Sequence, residues 1–149
     1  MDRLDKIDWN ILQLLQKDAK MTQSALAKAV GLSAPSVADR VKRLEDRGVI
    51  KGYLLSVAPS ELGYQLHAII HLRAFVGMLK PFLEKVKGLK EVRNCYRVTG
   101  NENIIMEVVL RDQKHLEKLI DLLISYGETR THIVLSQVIQ NAPVERPLI

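Results

Sequence analysis

The chain has 149 residues, 47% hydrophobic and 26% charged, with 22 Lys and Arg against 17 Asp and Glu, a formal charge of +5. That composition is globular and excludes disordered, collagenous and fibrous chains, while the length allows one ordinary domain or two small ones but no large multidomain enzyme. Charges at Asp2, Arg3, Asp5 and Lys6 stand where a secretory signal needs its apolar stretch, and no run approaches the roughly 18 apolar residues of a membrane span, so a cytoplasmic protein without a membrane partner is expected.

The first segment reads as a helix capped by Asp5, with Leu4 and Trp9 at the staple positions and Ile7, Ile11, Leu14 and Leu15 at helical spacing. Thr22 caps a short second helix, Gln23 to Val30, with Ala25, Leu26 and Val30 as its apolar side and Gly31 as its stop. Ser33 caps a third, with Pro35 in its first turn, where a missing N–H costs nothing, and Gly48 after its end. Two helices joined by Gly31-Leu32-Ser33 form the helix-turn-helix pattern.

Projected at about 100° per residue, Val37, Val41 and Leu44 of the third helix share one stripe, and Ser36, Arg40, Arg43 and Arg47 share another roughly 60° wide. Guanidiniums suit phosphates and guanine edges, and the hydroxyl and helix N-terminus suit phosphate. The local charge agrees, because residues 20–51 carry seven basic against three acidic side chains. A charged stripe on a lone helix is as readily a solvated face; behind a helix-turn-helix it points to the major groove of double-stranded DNA. Gln23, Ser33, Ser36, Arg40, Arg43 and Arg47 are the candidate contacts.

After Gly48 the pattern changes. Residues 49–57 read as a linking strand and residues 58–63 as a turn. Ala68, Ile70, Leu72, Ala74 and Val76 alternate as in a half-buried strand over His67–Val76, and Lys80–Lys87 follows as a helix. Glu91–Gly100 and Asn103–Arg111 read as two strands around a tight turn, Asp112 caps a helix through Tyr126, and Thr129–Gln140 is a last strand. The expected fold is α+β: a three-helix, winged-helix-like helix-turn-helix domain over residues 1–52, a link over 53–62, a βαββαβ ferredoxin-like domain over 63–141 and a tail over 142–149. With both helices on one sheet face, the other should present Ile69, Phe75, Cys95, Ile105, Val109, Val134 and Val138, too much apolar surface for water alone, so self-association is expected.

This order resembles the Lrp/AsnC, or feast/famine, family of prokaryotic transcription regulators. The resemblance is carried by Leu4-Asp5-Lys6-Ile7-Asp8, by residues 32–45 of the third helix, by Gly48-Val49-Ile50-Lys51-Gly52-Tyr53, by Cys95-Tyr96-Arg97-Val98-Thr99-Gly100 and by Thr131-His132-Ile133-Val134-Leu135. It implies a sequence-specific DNA-binding regulator, nucleoid-associated when bound, that forms homodimers through its sheet domain, in many members stacks into octamers, and in many responds to an amino-acid effector. Thr99, Gly100, Asn101, Glu102 and Asn103, with Thr129 and Thr131, are the effector-binding positions it implies. Where many members have an aspartate that helps hold the effector's ammonium group, this chain has Asn103, which removes a charge-assisted contact, and Glu102 stands beside it.

The chain calls for no catalytic residues, metal or cofactor. His67 and His71 are four apart on a strand, about 13 Å, too far for one ion. Gly-rich phosphate loops and a Gly-x-Ser-x-Gly elbow are missing, and Cys95, the lone cysteine, reads as a small apolar strand residue. Two other readings stay open at this level: a DNA-bending architectural protein, which the same arginines would serve, and a small-molecule-binding regulatory module, which would not need them.

Overall fold

The computed structural model describes residues 4–147; Met1–Arg3 and the last two tail residues, Leu148 and Ile149, lie outside the described residues. The chain divides into two units, one running to Ser56 and taking in the segment from Ile139 onward, the other Val57–Val138.

In the first unit every helix begins where a side-chain oxygen meets its free N–H groups. Asp5 accepts the Asp8 N–H at 2.8 Å, the Asp8 carboxylate accepts the Asp5 N–H at 3.1 Å, and α1 follows over Lys6–Lys17. Thr22 accepts the Ala25 N–H ahead of α2, Gln23–Val30, which ends at Gly31 in the left-handed region at φ +72°. Ser33 accepts the Ser36 N–H ahead of α3, Ala34–Asp46. Ile11, Leu26, Ala27, Val37 and Leu44 form the core of this unit. On α2 the buried alanine is Ala27, whereas Ala25, expected on the apolar side, is exposed. In projection Ala27 falls about 80° from the midline of Leu26 and Val30, whereas Ala25 falls about 120° from it, so the helical period favours Ala27. The C-terminal segment is held to α1 by the Gln16 side-chain amide, whose oxygen accepts the Val144 N–H at 2.8 Å and whose nitrogen donates to the Val144 carbonyl at 3.2 Å.

The second unit is the expected βαββαβ arrangement: β1 Leu66–Ala74, α4 Leu79–Val86, β2 Val92–Arg97, β3 Ile104–Leu110, α5 Gln113–Leu123 and β4 Gly127–Ile133. The sheet order is β2-β3-β1-β4, antiparallel throughout. Ala68, Ile70, Leu72, Ile104, Met106 and Val108 pack with Phe82 and Val86 of α4 and with Leu119 and Leu123 of α5, so both helices cover one sheet face. Asp112 accepts the His115 N–H at 2.8 Å to start α5, and the His115 ring lies 2.9 Å from Glu91, holding that carboxyl below the usual carboxylate range. Gly127 pairs with Ala74, where a Cβ would sit 2.8 Å from the Ala74 Cα; glycine is required by close backbone approach.

Four expectations are corrected. No strand forms over residues 49–57, because the four-stranded sheet is complete without it and the segment has no neighbouring ladder among the described residues. Leu54 and Leu55 are left 97% and 82% exposed, while the Tyr53 hydroxyl donates to Glu45 at 3.0 Å. The link instead continues into a short 3-10 turn over Pro59–Leu62. Second, β1 ends at Ala74 and leaves Val76 fully exposed, since the Phe75 N–H bonds to the Tyr126 carbonyl and the chain then turns through Gly77. Third, β4 stops at Ile133, not Gln140: Val134 still donates to the His67 carbonyl at 2.9 Å, but β1 begins at Leu66 and offers no further partner. Fourth, Cys95 lies on the helix-covered face opposite Met106, because a bulge between Val92 and Asn94 shifts the alternation of β2 by one residue; burial pushes its thiol pKa up.

The open face therefore carries Ile69, Ile105 and Val109 as expected, with Tyr96 where Cys95 was anticipated. Phe75 and Val138 lie beyond the strands. Polar groups interrupt it: His67 lies 2.8 Å from Glu107, which also accepts from Asn94 at 2.6 Å, and the rings of His71 and His132 meet edge to face at 5.3 Å.

Candidate nucleic-acid interface

A helix that contacts DNA needs one face buried for support and another turned outward. On α3 the support is Val37 and Leu44, both at most 1% exposed, with Val41 half-buried beside them. The outward set is Ser36, Arg43 and Arg47, all exposed. Ser33 and Ser36 share a hydroxyl hydrogen bond of 2.8 Å at the helix start, and Gln23 stands exposed at the first position of α2. Arg43 rests 3.4 Å from Asp39 one turn earlier, an exposed pair that water and salt screen and that a phosphate can displace.

Arg40 departs from the expected stripe. Its Nη1 donates to Asp5 at 2.6 Å and to Asp8 at 2.8 Å, and its side chain is only 21% exposed. Arg40 thus ties α3 to the capping box that starts α1. The pairing raises the Arg40 pKa, through Asp5 first and Asp8 second, and holds the Asp5 carboxyl below the usual carboxylate range, through the Asp8 N–H first and Arg40 second. Asp8 is the one buried polar residue among the described residues. The sequence held a signal for this: in projection Asp8 falls about 20° from Leu15 and 60° from Ile11, on the edge of the apolar stripe, where a carboxylate needs a cation.

In the second unit a cavity of about 160 Å3 opens beside the ends of β1 and β4, lined by His71, Arg73, Asn101, Glu102, Glu128 and Arg130 with Thr129. Of the implied effector positions it gathers Asn101, Glu102 and Thr129; Thr99, Gly100, Asn103 and Thr131 do not line it. Asn103 is engaged elsewhere. Its side-chain oxygen accepts the Ala74 N–H at 3.1 Å and its backbone N–H donates to the Leu72 carbonyl at 3.3 Å, so it fastens the end of β1. Arg73, His71 and Arg130, missed in the sequence, enter through strand register: Arg73 pairs opposite Glu128 and His71 opposite Arg130.

Comparison with known proteins decides what these parts belong to. Residues 4–51 match the winged helix-turn-helix DNA-binding family, and residues 67–144 match the Lrp/AsnC ligand binding domain. The chain belongs to the Lrp/AsnC family. It is 30% identical to the transcriptional regulator LrpC of Bacillus subtilis over 91% of this chain and 94% of that protein. It is 32% identical to the leucine-responsive regulatory protein of Escherichia coli over 93% of this chain and 88% of that one. The solved structure of LrpC covers 93% of this chain and 99% of its own at a TM-score of 0.88. A transcriptional regulator of Neisseria meningitidis in complex with L-methionine superposes at 0.90, with 26% identity over 95% and 96% of the two chains. This Lrp/AsnC protein is a helix-turn-helix transcription regulator with a ligand-binding regulatory domain. Among the described residues no helix is long and apolar enough to cross a membrane.

Proposed function

We propose that this regulator acts as an assembly of at least two chains, each laying α3 in the major groove of double-stranded DNA, and that an amino acid bound at the β1–β4 cavity modulates it. The observation that carries the DNA reading is the exposed Ser36, Arg43 and Arg47 stripe opposite a closed apolar core on α3. Ser33 and Gln23 flank it, and Arg40 supports it from behind by fixing α3 on α1. Assembly is favoured by the apolar share of the open sheet face, Ile69, Ile105 and Tyr96, and by the bare leucines of the 49–57 segment, whose strand-like composition fits a ladder completed by a second copy. The amino-acid reading is supported by the match to a ligand-binding domain and by the methionine-bound neighbour.

Ile105 is half-buried on the open face, so Ile105→Glu alters that face without cutting into the helix-covered core. The unaltered chain should sediment as a dimer or larger species at micromolar concentration, and the variant should shift toward monomer. Its DNA affinity should fall by about 10²-fold or more as paired half-site contacts become single ones. A variant with unaltered size and DNA affinity would contradict assembly through this face.

A further inference from the structure

An amino acid in the β1–β4 cavity, as proposed, has to match its size, charge and lining, and the choice among amino acids rests on that proposal. At about 160 Å3 the cavity is close to the roughly 150 Å3 void that holds a six-carbon ring in an engineered core, room for a compact molecule of about six to nine non-hydrogen atoms. Two ion pairs flank it. Arg73 Nη2 lies 2.9 Å from Glu128 Oε1, and Arg130 Nη1 lies 3.1 Å from Glu102 Oε1. Each sign appears twice, so the rim is balanced and favours a zwitterion over a net anion or cation: an ammonium group finds Glu102 and Glu128, a carboxylate finds Arg73 and Arg130. Glu102 therefore supplies, from the neighbouring position, the negative charge that Asn103 lacks.

The remaining lining decides the side chain. His71 and Asn101 bring ring nitrogens and an amide, and this chain contributes no aliphatic residue to the cavity wall among the described residues. A leucine or methionine side chain would strip water from these groups and return no hydrogen bond, whereas a hydroxyl or carboxamide replaces the water it displaces. We infer that this cavity selects an α-amino acid with a short hydroxyl or carboxamide side chain, of the serine, threonine or asparagine class, over leucine and methionine, the effectors that the names of its relatives point to.

Calorimetric titration of the full chain with serine, threonine, asparagine, leucine and methionine, and with asparaginamide and N-acetylasparagine, tests this. At least one of the three polar amino acids should bind about tenfold or more tighter than leucine and methionine, and the two blocked analogues, each lacking one charge of the zwitterion, should bind weakest. Arg130→Ala and Glu128→Gln, both on exposed side chains, should each weaken the polar ligand at least several-fold while thermal unfolding stays unchanged. Tighter binding of leucine or methionine, or affinity indifferent to both substitutions, overturns the inference and leaves the amino-acid reading standing. Binding of none of the five amino acids overturns that reading, and the inference falls with it.

Discussion

Replacing Leu44 with alanine should cost the DNA-binding unit about 2–5 kcal/mol, because the side chain is 1% exposed and the surrounding helices cannot fully close on the space it leaves. Leu44 belongs to the same small cluster as Ile11, Leu26 and Val37, and its carbonyl also accepts the N–H groups of Val49 and Ile50 that follow α3. A unit this size holds little reserve, so loss of several kcal/mol brings its unfolding into the range of growth temperatures. Calorimetry of the full chain should show an early transition for this unit with that of the sheet domain unmoved, and DNA binding should vanish together with the fold. An unchanged unfolding profile would show that α3 is not held by this core.

The second large effect is expected at Arg40. Arg40→Ala leaves the Asp8 carboxylate, 12% exposed, without its cation, and removes the ion-pair tie between α3 and the cap of α1. The loss should be about 1.5–3 kcal/mol, the range for hydrogen bonds to charged groups, with the exposed Asp5 arm contributing least. Pairing Arg40→Ala with Asp8→Ala should recover part of it, since the uncompensated charge is then gone. The pH dependence has a definite sign. The Asp5 carboxyl is held lower in the folded chain than in the unfolded one, so its contribution is present above the ordinary carboxylate value of about 4 and is lost as pH falls through the folded value. Denaturant unfolding at pH 7 and pH 3 should therefore show a smaller difference between Arg40→Ala and the unaltered chain in acid. A larger one would contradict the ion-pair account.

The parts of the fold that the sequence made legible are those written in local chemistry. Asp5, Thr22, Ser33 and Asp112 each cap the helix they were expected to cap, because a cap is read within four residues. The alternation of Ala68, Ile70 and Leu72 located the buried face of β1 for the same reason. What escaped depends on distant groups. Arg40 sits at the correct angle for a groove contact, yet Asp8, 32 positions earlier, claims it, and a projection of one helix says nothing of its neighbour. A single bulge turned Cys95 inward, and the ends of β1 and β4 are set by where the partner strand runs out, not by their own residues. The cavity was half legible: Asn101, Glu102 and Thr129 are among the effector positions the family resemblance implies, while Arg73 and Arg130 arrive only through the β1–β4 register.

The claim that α3 carries the DNA contact is tested most directly by the salt dependence of DNA binding, measured on the full chain and on an Arg43→Ala, Arg47→Ala double variant. Both side chains are exposed and neither belongs to the core, so the variant should unfold at the same temperature as the unaltered chain. Its affinity should be lower, and the slope of log K against log salt should flatten by about 0.9 for each phosphate the variant no longer neutralises. Equal affinity and equal slope in a folded double variant would contradict the account and place the DNA contact on another surface.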